Sequence, residues 1–389
     1  MRDRIIKQRI KDTRKSILLL GPRQVGKSTL CQSLNPNKTI NLAEEDSFIS
    51  YAKDPSKLKR EVLTLPPRSL IFIDEVQRIP SLLNSIQAII DTKELSHRFL
   101  LSGSSARKLK MRGANLLPGR VILEHLDPLL YWELKDIFDL DRALQVGMLP
   151  EVFLDRSEGI DILSTYVDTY LREEIRAEAL VKDIGSYARF LDVAAIVSGQ
   201  WLNYSKLSSE SEIPKETIRR YFSILEDTLL VFRLPSFQPK RRISRRVAQK
   251  DKFVFFDVGV RNSLLGHHRK PPSVDQIGPI FEQWFTLQVF YLNRAFKKAW
   301  TLSSYRTEGG AEVDLVVERE EDILGIEIKS SRNVGGTDWR GLRSLEEVVG
   351  KYKPFKKVIA FRGNEKQVFE KNEWAIPFAK VFDLLMDED

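Results

Sequence analysis

Between residues 14 and 125, short apolar runs alternate with stretches whose apolar positions recur every three to four residues. The runs 16–20 (SILLL), 39–42 (TINL), 70–73 (LIFI) and 99–102 (FLLS) predict strands, and the intervening stretches predict crossover helices. Strands alternating with helices are the pattern of a parallel α/β sheet. From about 126 to 235 the periodicity becomes helical: Tyr166, Tyr170 and Ile175 fall near helical spacing, as do Ile218, Phe222 and Leu225. Past 250 it is mixed again. Strands are predicted at 253–256 (FVFF), 311–318 (AEVDLVVE), 323–330 (ILGIEIKS) and 357–361 (KVIAF), and a helix over 279–292. No repeat period is present, and the turn-rich stretch 266–279, with Pro271 and Pro272, predicts a hinge. These shifts divide the chain into 1–125, 126–200, 201–252 and 253–389.

The segment 204–235 has a pattern of its own. Ser205 is placed to cap a helix over 206–211, Ile213 and Pro214 turn the chain, and 215–227 (KETIRRYFSILED) forms a second helix. The apolar run 229–234 then predicts a wing strand, which gives a winged-helix module with Lys215, Arg219 and Arg220 available to DNA. The same pattern also suits an internal packing module built on Tyr221, Phe222 and Leu225.

Composition narrows the function classes. Of 389 residues 62 are Lys or Arg and 54 Asp or Glu, a formal charge of +8, and 240–252 (KRRISRRVAQKDK) alone holds seven bases and one acid. Such a cluster is a candidate phosphate footprint, because Lys and Arg release counterions on contact with nucleic acid. A single cysteine, Cys31, excludes an internal disulfide framework and a Cys-rich zinc site, and His267 and His268 give no zinc-ligand pattern. No apolar run approaches the ~18–20 residues of a membrane span, and the N-terminal residues lack the apolar core of a secretory signal. The expectation is a cytoplasmic protein with no membrane partner.

The segment from Gly21 to Ser28, GPRQVGKS, matches the phosphate-loop pattern G-x-x-x-x-G-K-[ST], with an apolar strand before it and a helix after it. Gly21 and Gly26 let backbone N–H groups close around a phosphate, and a helix N-terminus favours its charge. Lys27 would reach the β- and γ-phosphates and the Ser28 hydroxyl would ligate Mg²⁺, with Thr29 completing the nucleotide-binding set. The run 70–75 (LIFIDE), whose Asp74 lies 47 positions after Lys27, delivers two carboxylates from a buried strand. Asp74 would hold Mg²⁺ through water and Glu75 would activate the attacking water. Ser104 is a candidate γ-phosphate sensor. Of Arg107, Arg112 and Arg120, Arg120 is the candidate arginine finger, a group often supplied by a neighbouring subunit; a surface arginine in a local salt bridge is the other reading.

A second constellation lies near the C-terminus. With a hairpin turn at 319–322 (REED), Glu318 faces Ile323 and paired positions sum to 641, so Asp314 opposes Glu327 and Glu312 opposes Lys329. Strand alternation then puts all four on one face. Carboxylates beside a lysine are what a Mg²⁺-dependent phosphodiesterase needs; a solvated hairpin with cross-strand ion pairs is the other reading.

The segments GPRQVGKST, LIFIDEVQ, LSGSS and LLPGR resemble the prokaryotic AAA-type ATPases that carry a C-terminal nuclease-like domain, and 253–264 and 308–331 fit the same family. The resemblance implies an AAA-like core, ATP as nucleotide, and a ring or other homo-oligomer. The spacing Asp-x12-Glu-x-Lys of Asp314, Glu327 and Lys329 resembles the PD-(D/E)XK nuclease motif, with Glu282 as the additional helix-borne acid and Val313 standing where a proline is usual. The expected architecture is thus α/β throughout: an AAA-type sheet, a helical and winged-helix middle, and a restriction-endonuclease-like C-terminal domain. The expected function is a Mg²⁺-dependent ATPase that binds DNA and cleaves or processes it. The alternative is an ATP-regulated oligomeric switch whose C-terminal domain is an inactive nuclease fold that binds a partner.

Overall fold

The computed structural model describes residues 2–92, 96–104, 117–171, 184–239, 250–350, 353–370 and 372–387. The chain forms two compact units: Met1–Ile137 with Leu149–Glu151 and Ser223–Leu230, and Phe138–Met148 with Val152–Phe222 and Val231–Asp389. The four-part division drawn from the sequence is finer than this and runs strictly along the chain, whereas the units interleave.

In the first unit β1 (Ser16–Leu20), β2 (Lys38–Asn41), β3 (Leu70–Asp74), β4 (Arg98–Gly103) and β5 (Val121–His125) form a five-stranded sheet in the order β2-β3-β4-β1-β5. All its pairings are parallel. The first four are the predicted strands to within a residue. The fifth was not predicted, because it is an edge strand whose Leu123 is exposed, so its apolar pattern is broken. One face of the sheet, carrying Leu18, Leu20, Ile71, Ile73, Phe99 and Leu101, is covered by Tyr51, Leu58, Val62, Leu82 and Ile86 from the helices Glu45–Lys53, Ser56–Leu63 and Leu82–Asp91.

The second unit holds a six-stranded mixed sheet in the order β12-β13-β11-β10-β9-β8: β8 (Thr301–Arg306), β9 (Glu312–Glu318), β10 (Ile323–Lys329), β11 (Phe355–Phe361), β12 (Gln367–Glu370) and β13 (Glu373–Pro377). Trp339, Leu342, Leu345 and Val349, on and beside the helix Arg340–Val349, pack on Val316, Ile323 and Ile359. The helix Val274–Phe296 starts five residues before its predicted beginning and consumes part of the expected hinge. Ser273 N–H donates to Gln276 Oε1 at 3.0 Å at its start, and Pro279 is tolerated near that end.

The helices Tyr204–Ser211 and Lys215–Asp227 are present. The first is capped by Asn203, whose side chain accepts from Lys206 N–H, rather than by Ser205. The strand expected after the second helix is β6 (Val231–Leu234), paired antiparallel with β7 (Lys252–Phe255). That pair straddles the boundary expected at 252/253. The basic residues 240–249 lie outside the described residues. Among the described residues no helix is long and apolar enough to cross a membrane.

Candidate functional site

Each unit carries one of the two predicted sites. In the first, Gly26, at φ +90°, opens the helix Lys27–Gln32, a backbone geometry that favours glycine. Gly21 is required for space: a Cβ there would lie 2.1 Å from the Leu126 carbonyl oxygen. Lys27 is buried, and its Nζ donates to the carbonyls of Gly21 (2.9 Å) and Pro22 (2.7 Å), so the ammonium lies within the curl of the loop. Ser28 is half-buried and Thr29 exposed. Below them, burial pushes the Cys31 thiol up to about 12, the Asp74 charge adding to this and Lys27 opposing it. Asp74 and Lys27 thus both lie close enough to this thiol to act on it.

The sheet order sets the rest. β4 lies between β1 and β3, and Gly21 N–H donates to Gly103 O at 3.3 Å, so Ser102 and Ser104 sit beside the loop. Ser102 Oγ donates to Asp74 Oδ1 and accepts from Glu75 N–H at 3.2 Å. Glu75 takes a left-handed conformation (φ 55°), and its carboxylate accepts from Gln77 Nε2, which also donates to Ser104 Oγ at 3.1 Å. Ser104 thus meets Glu75 through Gln77, while Ser102 holds Asp74. Arg4 fixes the loop from outside, donating to Val25 O (2.7 Å) and Asp127 O (2.6 Å) with its Nε on Glu133 (3.0 Å). Sequence reasoning missed Arg4 and Gln77 as site residues and gave Ser102 no role. Only Ser102 had a signal, its place at the end of a predicted strand. Arg120 is held by Asp91 of its own chain through two bonds of 2.7 and 2.9 Å. Arg107 and Arg112 lie outside the described residues.

In the second unit the hairpin register is the predicted one: Ile323 pairs with Glu318 and Ile326 with Leu315. The ladder then stops. Asp314 Oδ2 accepts from Ile328 N–H at 2.8 Å, a side chain taking a donor the ladder would have used. On the other edge of β9, Ser303 pairs with Val316 but Tyr305 with Val313, an extra β9 residue that makes a bulge at Asp314. This corrects the expectation of four side chains on one face. Glu312 pairs with Arg306 (3.0 Å) and accepts from Trp201 Nε1 (3.4 Å), whereas Lys329 pairs with Glu327 (2.9 Å) and Asp338 (3.6 Å).

Asp314, Glu327 and Glu282 still share one electrostatic neighbourhood. Asp314 keeps some solvent contact, yet it sits in a recess crowded by protein. Burial, with the Glu282 and Glu327 charges, holds it well above the usual carboxylate range. Burial also raises Glu327, against the pull of Lys329, and Glu327 Oε2 is buried with no hydrogen-bond partner among the described residues. A residue not predicted enters from β7: Lys252, buried, donates to Glu282 Oε1 at 2.8 Å. Burial works to lower its pKa, but Glu282 and Asp314 outweigh that and raise it. Lys329 is raised in the same way by Glu327. Among the described residues no three His, Cys, Asp or Glu side chains form a ready-made metal cage. The orphaned Glu327 oxygen and the like-charged pair nonetheless fit a cation such as Mg²⁺, which binds through one or two carboxylates and keeps several waters.

Family models match along most of the chain: an AAA domain over residues 13–135, and the domains of unknown function DUF8612 over 137–270 and DUF4143 over 277–381. The uncharacterized proteins Mb2031c of Mycobacterium bovis and Rv2008c of Mycobacterium tuberculosis are each 30% identical over 326 residues, covering 80% of this chain and 70% of theirs. The Thermotoga maritima RuvB Holliday junction branch migration motor aligns over 59% of this chain and 85% of its own at 16% identity and a TM-score of 0.28, too slight a likeness to carry an argument. The phosphate loop, its paired carboxylates and this coverage agree, and the chain belongs to the family of the two mycobacterial proteins, with an AAA-type ATPase domain in its first unit.

Proposed function

We propose that the chain is a cytoplasmic, oligomeric, Mg²⁺-dependent ATPase that binds DNA and cleaves it at the carboxylate site of the second unit. In the first unit Lys27 would exchange its carbonyl acceptors for β- and γ-phosphate oxygens, while Ser28 and Asp74 would hold the ion. Glu75, oriented by Gln77, would take the proton of the attacking water. Ser104 would register the γ-phosphate through the same glutamine.

One observation supports the cleavage half: Lys329 Nζ donates to Glu327 at 2.9 Å, and the Glu327 and Glu282 charges both act on Asp314. Asp314 and Glu327 would hold a divalent cation, which when bound supplies a Lewis acid and a more acidic water. Lys329 would balance charge on the phosphodiester oxygens, and Glu282 would add to the negative field. A second reading has its own support. Lys252 on Glu282 and Lys329 on Glu327 give these acids internal counter-ions, which suits an inert nuclease fold that binds a partner.

One experiment separates them: supercoiled plasmid incubated with Mg²⁺ or Mn²⁺, with and without ATP, beside thermal unfolding in the same buffers. The cleavage reading expects nicking, and a cation-dependent rise in the unfolding midpoint from preferential binding to the folded state. Asp314→Asn should lose both effects. Lys329→Ala should keep the rise and lose the nicking, since lysine is not a ligand. No nicking, and no cation binding by calorimetry at millimolar concentration, would leave the inert-fold reading.

A further inference from the structure

Residues 201–202 and 251–252 form a short antiparallel bridge: Trp201 pairs with Lys252, and Leu202 N–H donates to Asp251 O at 3.1 Å. Successive residues in extended chain face opposite sides. Trp201 and Lys252 turn toward the carboxylates, where the indole meets Glu312 and the ammonium meets Glu282. Their neighbours turn away and help to line a notch of about 270 Å³.

The notch is cationic. Lys215 and Arg219, from one face of the helix Lys215–Asp227, meet Lys250 there across Tyr204. Both lysines are exposed, and neither has an acidic partner among the described residues. Arg219 stands 5.1 Å over the Tyr204 ring, with only a long 3.5 Å contact to Glu216. The one acid in the lining, Asp251, is already engaged by Arg233 Nε at 2.8 Å and by Ser236 N–H at 3.2 Å. Three cations line a small polar recess whose acid is engaged from outside, a lining suited to a phosphate. Its size admits a phosphate group and falls short of a drug-sized ligand.

We propose that this notch is a phosphate subsite for a nucleic-acid strand, on the same short stretch of chain that carries Lys252. The proposal rests on the reading of the second unit as DNA-handling and gives that reading a place of attachment. Lys250 lies two residues from Lys252, at most about 7 Å of extended chain, so the notch and the carboxylate site share one stretch of backbone.

The test uses the full chain with fluorescein-labelled single-stranded and duplex oligonucleotides, affinity being measured from low to moderate salt. Each phosphate contact adds about 0.7 to 0.9 to the slope of log affinity against log salt. Replacing Lys215, Arg219 and Lys250 together by Ala should flatten the slope by about 2 to 3. Lys206→Ala with Arg189→Ala, exposed cations outside the lining, should leave it nearly unchanged, and unfolding midpoints should match the wild type. If the triple variant unfolds, Lys215→Ala and Lys250→Ala singly should each cost about one unit of slope. A wild-type slope in the triple variant overturns the subsite, as does an equal loss per charge in the control pair, which marks an undirected basic surface. Loss of millimolar inorganic phosphate binding in the triple variant with oligonucleotide binding intact makes it a small-anion site, which overturns it too. Absence of DNA binding by the wild type sinks this proposal and the proposed function together. A flattened slope in a protein that never cuts upholds the notch and removes only the cleavage.

Discussion

In the proposed ATPase, Lys27 and Glu75 would serve one nucleotide by different physics. Lys27 supplies a charge that any bound phosphate meets, so Lys27→Ala should abolish measurable ATP affinity and hydrolysis together. Glu75 acts on a proton in transit, so Glu75→Gln should bind ATP within a few-fold of wild type while turnover falls by about 10²-fold or more. Equilibrium binding of a fluorescent ATP analogue, beside phosphate release, reads both; equal loss of binding in the two variants would reverse these roles. The motif residues were legible because the loop gathers them from one continuous stretch. Ser102 reaches Asp74, and Gln77 reaches Ser104, only because β4 lies beside β3, an order the sequence does not state. Arg4 meets Val25 and Asp127, contacts of 21 and 123 residues' separation with no local signature.

At the scale of elements the hairpin register was legible, since a four-residue turn and two alternating strands leave one pairing that buries the apolar faces. The bulge at Asp314 was not, because an extra residue in one strand shows only against its partner. A second element of this kind is the start of the helix Val258–Leu264. There Asp257 caps Gly259 N–H and Val260 N–H through Oδ1 and takes Met148 N–H through Oδ2 at 2.6 Å. Asp257→Ala removes the cap and orphans a buried N–H, which should cost about 2–4 kcal/mol in chemical denaturation. Burial pushes this carboxyl up to about 6, against those three bonds. A folded-state value above the unfolded one, near 4, means the native state holds the proton longer. Stability from this group therefore falls as pH rises from about 4 to about 6 and is level above that. Asp257→Asn keeps an oxygen for the cap, turns an amide toward Met148 N–H and cannot titrate. It should be less stable than wild type, and its denaturation midpoint should lack this fall between pH 4 and 6. A fall as steep as the wild type's would assign the titration to another group.

For the molecule as a whole, a pass along the sequence found the change from α/β to helical to mixed grammar, but not that Ser223–Leu230 returns to the first unit after seventy or more residues of the second. Compactness is a property of contacts across the chain, and segment composition does not record it. Assembly is the same kind of question one level higher. Arg120 is partly exposed and committed to Asp91, so an arginine-finger role requires that it leave this carboxylate for the γ-phosphate of a neighbouring subunit. Arg120→Ala should then be inactive alone, because no interface has a finger. Lys27→Ala is inactive for the opposite reason, lacking a bound nucleotide. Mixed together they should regain ATP hydrolysis, since an interface between the two variants joins an intact loop to an intact arginine, and activity should rise more steeply than linearly with protein concentration. Asp91→Ala, which frees the guanidinium, should hydrolyse ATP at least as fast as wild type. Concentration-independent turnover by a monomer of defined mass, with no recovery on mixing, would reduce Arg120 to a local ion pair and leave the finger to a residue of another kind.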